Sequence, residues 1–78
     1  MQSNVSSQSQ EIVDREYKAG LATFERGQYR QAIQHLEKAN ALANRNSRLG
    51  GEVQLWLINA YEAAGQRQEA IALCELLK

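Results

Sequence analysis

The side chains best suited to chemistry in this sequence are its single histidine, His35, and its single cysteine, Cys74. His35 lies near Glu37 and Lys38, but no serine or cysteine lies at a spacing that would pair a nucleophile with a base. A solvent-facing or interface position is the favoured interpretation of His35, with catalysis as the alternative. We therefore expect no catalytic residues and no enzymatic activity.

Cys74 is isolated from other groups that could work with it. One cysteine cannot close an intramolecular disulfide, and with one histidine it cannot complete a structural zinc site. Free cysteines commonly behave as small apolar side chains. The acidic residues of the second half are interpreted as solvated surfaces; they are Glu52, Glu62, Glu69 and Glu75. We expect no metal site, no cofactor and no small-molecule substrate.

Composition excludes two further classes of protein. The 78 residues carry nine basic and nine acidic side chains, so no net charge attracts nucleic acid. No segment approaches the roughly 20 apolar residues of a membrane span, so we expect no membrane insertion. Residues 1–10 have neither an apolar segment nor a Lys or Arg, unlike a signal or transit peptide. We expect a soluble protein of the reducing cytoplasm, limited by its length to one domain.

Glycines divide the chain into four predicted helices. Gly27 and Gly65 each end a helical pattern and are followed directly by Gln. Residues 1–8, rich in Ser, Gln and Asn, are predicted to form a disordered polar tail. Ser7 with Gln10 has the pattern of a capping box, so the first helix is expected to begin near Ser7 and to end near Arg26.

The remaining helices are expected at about 29–43, from a cap at or near Ser47 to Gly65, and from about 68 to the last residue. A loop over 44–48 separates the two halves. Apolar residues at three-and-four spacing predict the buried sides. They are Val13, Tyr17, Gly20, Leu21, Phe24, Ala32, Ile33, Leu36, Ala39, Leu42, Val53, Trp56, Leu57, Ala60, Tyr61, Ala64, Ala70, Ile71, Cys74 and Leu77.

The two halves repeat each other. Residues 58–77 align with residues 20–39, which pairs Gly65 with Gly27, Ala70 with Ala32, and Ile71 with Ile33. On these positions the chain resembles the tetratricopeptide repeat (TPR) family, whose unit is a helix-turn-helix of about 34 residues. The overall sequence is also similar to TPR proteins of cyanobacteria and plastids.

The resemblance implies an all-α fold of two tandem helical hairpins, four antiparallel helices of a right-handed α-solenoid. Residues 9–78 would form the TPR-like domain, with repeat one at about 9–43 and repeat two at about 49–78. Two positions depart from the family: Glu16 and Gln54 stand where a Trp is usual.

In this family a ligand usually lies along the concave surface made by the first helix of each hairpin. The resemblance therefore implies a protein partner, bound as a peptide or helix by Tyr17, Leu21, Phe24, Leu55, Asn59 and Glu62. The same α-helical stripe could instead be core, most plausibly for Leu21 and Phe24. Lys and Asn residues that clamp a C-terminal carboxylate in some members are replaced here by Tyr17, Leu21 and Trp56, so an acidic chaperone tail is not the expected ligand.

A different function is also open. The last helix has an apolar side wider than one neighbour can cover, so it could pair with a second copy of the chain through Leu73, Leu76 and Leu77. The alternative to a partner-binding module is thus a self-association module that forms a homo-oligomer.

Overall fold

The computed structural model describes residues 3–44 and 47–76, and all their regular elements are helices. In chain order they are α1 (Ser3–Glu25), α2 (Tyr29–Leu42), α3 (Arg48–Ala63) and α4 (Arg67–Leu76). Each helix packs against the next one along the chain, and α1 also contacts α3. The predicted all-α fold of two helical hairpins is therefore confirmed.

The two hairpin turns have the same hydrogen-bond pattern. Gly27 and Gly65 take positive φ values of 81° and 82°, which glycine adopts at no steric cost. The residue after each glycine donates its N–H back across the helix end, from Gln28 to the Thr23 carbonyl at 2.9 Å and from Gln66 to the Tyr61 carbonyl at 2.7 Å. This is the Schellman arrangement, which satisfies carbonyl groups at the helix end and reverses the chain.

The start of α1 differs from the prediction. Residues 3–8 are helical rather than a disordered tail, and Ser7 lies inside α1, so it cannot cap it. Ser, Asn and Gln are weaker helix formers than Ala, but this segment contains neither Gly nor Pro, so nothing stops the helix from extending towards the N-terminus. At α3 the expected cap is confirmed, because the Ser47 hydroxyl accepts the N–H of Gly50 at 3.0 Å.

The core consists of two clusters centred on α2. The larger cluster joins α2, α3 and α4, and the smaller joins α1, α2 and α3. The larger contains Ala32, Ile33, Leu36, Leu57, Ile58, Ala60, Tyr61 and Ala70, and the smaller contains Val13, Ala39 and Val53. Leu36 and Val53 are fully buried, which stabilises the fold by about 1.5–3 kcal/mol for each side chain.

Three residues expected in the core are exposed instead. Leu42, at the end of α2, is 45% exposed, since the helix stops there. Ile71 is 52% exposed and Cys74 is exposed, because α3 is the one described helix against which α4 packs. Leu77 lies outside the described residues.

Alanine substitution at two adjacent glycines of α3 should change the free energy of unfolding in opposite directions. A Cβ at Gly50 would overlap the backbone carbonyl of Asn44, whereas a Cβ at Gly51 would meet nothing within 4 Å. Because Ala is favoured over Gly inside a helix by up to about 1 kcal/mol, Gly51→Ala should raise the free energy of unfolding by about 0.5 kcal/mol or more. Gly50→Ala should lower it by at least about 1 kcal/mol, since backbone atoms must shift.

Urea unfolding followed by circular dichroism measures both changes, and each variant serves as the control for the other. Equal effects of the two substitutions would contradict the close approach of Gly50 to the α2–α3 connection.

Candidate functional site

The six residues expected to bind a partner lie on two helices that contact each other, α1 and α3. We call this surface the α1–α3 face; it comprises Tyr17, Leu21, Phe24, Leu55, Asn59 and Glu62. The four residues other than Leu55 and Glu62 are half-buried, and those two are exposed. The six therefore differ in how much of each side chain a partner could reach.

Phe24 is held between two other aromatic rings. Its ring meets Tyr29 edge-on with centroids 5.2 Å apart, and Trp56 in the same way at 5.4 Å. Such pairs contribute about 0.5–1.5 kcal/mol beyond their buried area. Phe24 also packs against the larger core cluster. It therefore holds α1 against α3, and much of its ring is already in contact with the protein itself.

Tyr17 also connects α1 and α3, the first helices of the two repeats. Its hydroxyl donates a hydrogen bond to Glu52 Oε1 at 3.1 Å, and its ring packs against both core clusters. Burial raises the pKa of the Tyr17 hydroxyl, and the Glu52 carboxylate beside it raises that pKa further. Because the phenol stays neutral, it remains a donor to Glu52 and its polar end faces the rim of the α1–α3 face.

The accessible part of the α1–α3 face is thus smaller than the predicted set. Leu55 is 57% exposed, and Leu21 and Asn59 each present part of their surface. Glu52 and Glu62 add exposed carboxylates on the same helix as Leu55. The face offers an apolar side chain, an amide that can both donate and accept, and negative charge.

A groove that the sequence did not predict lies between α2 and α4. We call it the α2–α4 groove; it encloses about 330 Å³ and shares no residue with the α1–α3 face. Its lining residues come from α2, α3 and α4: Glu37, Asn40, Ala41, Leu57, Tyr61, Glu69, Ala72, Leu73 and Leu76. A signal for it existed in the sequence, since Leu73 and Leu76 widen the apolar side of α4.

At the base of this groove Tyr61 is tied to α2. Its hydroxyl donates a hydrogen bond to Glu37 Oε2 at 2.5 Å. Burial raises the pKa of the Tyr61 hydroxyl well above its ordinary value, and the carboxylates of Glu37 and Glu69 raise it further. The protonated hydroxyl stabilises the fold fully below the ordinary tyrosine pKa of about 10, and this contribution is lost as the pH rises through the raised value.

His35 takes part in an interface contact between α1 and α2. Its Nδ1 lies 2.8 Å from Glu16 Oε1, and the two side chains are 37% and 16% exposed. The hydrogen bond from His35 lowers the pKa of the Glu16 carboxyl. Glu16 stands where the family usually has a Trp, so a polar contact with His35 replaces an aromatic side chain there. This contact fits the interface interpretation of His35.

The residues proposed for self-association differ in exposure. Leu76 is 69% exposed, whereas Leu73 is half-buried and packs against the larger core cluster. Leu77, the third member of the set, lies outside the described residues. Of the three, Leu76 is therefore the side chain that another copy of the chain could reach most directly.

Two other kinds of site are absent from the part of the chain that the structure describes. Within residues 3–44 and 47–76, no three His, Cys, Asp or Glu side chains are grouped so that they could hold a metal ion. Among the described helices, none combines the length and apolar character needed to cross a bilayer.

Comparison with known proteins agrees with the repeat structure. A sequence model of the tetratricopeptide repeat family matches residues 23–78, which include the last residues of α1 and all of α2, α3 and α4. Searches of curated proteins and of solved structures found no significant match. Tetratricopeptide repeats are non-catalytic units of protein–protein interaction, and their helix-turn-helix architecture is the one seen here. Because the match covers more than half of the chain, this protein belongs to the tetratricopeptide repeat family.

Proposed function

We propose that this protein is an interaction module that holds a peptide or helix of another protein on its α1–α3 face. The observation that carries the proposal is Leu55, a large apolar side chain that is 57% exposed in the middle of α3. Leaving it in water forgoes the burial of its side chain, worth about 1.5–3 kcal/mol. A partner that covered Leu55, which is 57% exposed, would recover roughly half of that free energy.

The chemistry around Leu55 indicates what such a partner would carry. An apolar residue of the partner would pack on Leu55 and Leu21, and Asn59 would hydrogen-bond its backbone or an amide. Glu52 and Glu62 favour a partner with basic side chains near the apolar one. Tyr17 and Phe24 support this surface from within, because they fix α1 against α3.

Leu55→Asp combined with Asn59→Ala should abolish this binding while leaving the helices intact. The ligand for the test would be the strongest binder that the unmodified chain selects from a displayed library of random peptides. Isothermal titration calorimetry should show at least about tenfold weaker binding to the double variant, a loss of about 1.4 kcal/mol or more. Tyr17→Ala is less suitable, since it would also remove contacts with both core clusters.

Leu42→Asp is the matched control, because Leu42 is 45% exposed but lies at the end of α2, outside the face. Its affinity for the same peptide should stay within about twofold of the unmodified chain. Undiminished binding to the Leu55→Asp, Asn59→Ala variant would overturn the assignment of this face.

Self-association through α4 is the second candidate function. It is supported by two uncovered apolar side chains of α4, Ile71, which is 52% exposed, and Leu76, which is 69% exposed. The repeat makes this exposure informative. In repeat one the residues equivalent to Ile71 and Cys74 are Ile33 and Leu36, which are buried in a cluster shared with α3. The corresponding side of repeat two has no such cover among the described residues.

The charges of α1 determine how two copies could associate. The positions of α1 equivalent to Val53 and Trp56 hold Arg15 and Lys18, both exposed. A second copy could not stack its α1 on α4 as α3 stacks on repeat one, because both charges would lose water. Association would instead pair the α4 surface with itself, which gives a closed two-fold dimer rather than an open chain.

Ile71→Glu combined with Leu76→Glu should convert such a dimer into a monomer, because each of the two sides of α4 would then place a carboxylate of one copy against that of the other. Sedimentation velocity over a wide concentration range measures the change. Leu42→Glu is the control and should leave the mass distribution as it is in the unmodified chain. A dimer that persists in the Ile71→Glu, Leu76→Glu variant, or a mass that grows beyond a dimer in the unmodified chain, would exclude pairing through α4.

A further inference from the structure

We propose that the α2–α4 groove is a second binding site, which takes an amphipathic helix of a partner protein that carries a large aliphatic residue one turn from an arginine or lysine. This site goes beyond the proposed function, because it lies between the second helices of the two repeats, with its base on α3, and shares no residue with the α1–α3 face. Three features of the groove support the proposal: its apolar base, its acidic rim and its size.

The base of the groove is apolar and fixed in place. Leu57 is 2% exposed and Tyr61 is 8% exposed, so both belong to the core and keep their positions whether or not a ligand is bound. Leu73, half-buried, continues this base onto α4, and the exposed Leu76 forms one wall. A buried apolar base bordered by an exposed leucine suits a hydrophobic anchor, since most of the base is already ordered by core packing.

The rim is negatively charged. Glu37 on α2 and Glu69 on α4 are both exposed and line opposite sides of the groove, with Asn40 beside them. No lysine or arginine is among the described residues that line it. Glu37 accepts the Tyr61 hydroxyl through Oε2, so its other oxygen and the Glu69 carboxylate remain as acceptors for an added donor. These two carboxylates favour a basic side chain over an acidic one.

The volume of the groove limits how many side chains of a partner it can hold. Its volume of about 330 Å³ is small for a binding site, since ligand pockets usually span roughly 300–1,000 Å³. It can receive one or two side chains of a helix that lies across α2 and α4, but not the helix itself. One aliphatic anchor with a basic residue one turn away on the same helix face matches this size and the pairing of an apolar base with two carboxylates.

The charge of the rim also argues against a second copy of this chain as the occupant. A two-fold pairing through the groove would place Glu37 and Glu69 of one copy against Glu37 and Glu69 of the other. Like charges that face each other across an interface oppose association. A partner helix with basic residues meets the same rim with opposite charge.

Three synthetic helical peptides with an alanine-rich host sequence test the site. One carries leucine and arginine one turn apart, the second carries leucine and glutamate at the same positions, and the third carries alanine and arginine. Fluorescence anisotropy of the labelled peptides should show that the unmodified protein binds the leucine–arginine peptide at least about tenfold more tightly than either of the others. Equal affinity for the arginine and glutamate peptides would overturn the proposal.

Glu69→Arg should abolish this preference, because the remaining Glu37 carboxylate and the new guanidinium leave the rim without net charge. Glu75→Arg is the matched control: it makes the same change of charge on an exposed residue of α4 that does not line the groove, and it should keep the original preference. Circular dichroism of both variants verifies that the helices are formed. If Glu75→Arg abolishes the preference as Glu69→Arg does, the effect comes from net charge and the site is wrong.

Leu55→Asp separates this proposal from the proposed function. A peptide bound in the α2–α4 groove should keep its affinity for Leu55→Asp, because Leu55 is not part of the groove. If the leucine–arginine peptide loses its affinity for Leu55→Asp, it binds the α1–α3 face and the groove proposal fails while the proposed function stands. If it binds neither protein, the groove proposal also fails.

Discussion

The close approach of α1 to α2 at Gly20 is the contact on which the rest of the structure depends. A Cβ at this position would lie 2.7 Å from Cγ of Leu36, a fully buried side chain, so residue 20 can be no larger than glycine while Leu36 keeps its place. With the two helices this close, Leu36 fills the centre of the larger core cluster and α3 packs over it. The position of α3 in turn brings Glu52 to Tyr17 and Trp56 to Phe24, which builds the α1–α3 face.

In repeat two the large and the small residue at the equivalent positions are exchanged between the two helices. The positions equivalent to Gly20 and Leu36 hold Ile58 and Cys74, so the large residue is on the first helix and the small one on the second. Ile58 is buried, while Cys74 is exposed on α4. The second helix thus carries a large side chain, Leu36, in repeat one and a small one, Cys74, in repeat two. Among the described helices α3 alone packs against α4, so apolar side chains remain uncovered both on the α4 surface and in the α2–α4 groove.

The local signals in the sequence predicted most of the fold. The turns depend on Gly27 and Gly65, whose positive φ few other residues tolerate, and the start of α3 depends on the Ser47 cap. Each of these signals acts over a few residues and can be recognised without a structure.

Long-range partners could not be predicted in this way. Helical spacing identified Tyr17 and Phe24 as members of one stripe, but not that Glu52, Tyr29 and Trp56 already contact them. Likewise, spacing placed Ile71 on an apolar side without showing that no described helix covers it. The α2–α4 groove was missed because its acidic rim comes from two different helices, and only their packing brings Glu37 and Glu69 to the same opening.

The most direct test of this account is the unfolding free energy of two variants that transfer the residues of repeat two into repeat one. Gly20→Ile alone should lower the free energy of unfolding by more than about 2 kcal/mol, because the added side chain has no room beside Leu36. Gly20→Ile combined with Leu36→Cys should recover at least half of that loss, because the pair then has the distribution of volume found at Ile58 and Cys74. A Gly20→Ile variant as stable as the unmodified chain, or a double variant no more stable than the single one, would contradict the claim that the rest of the structure depends on this contact between α1 and α2.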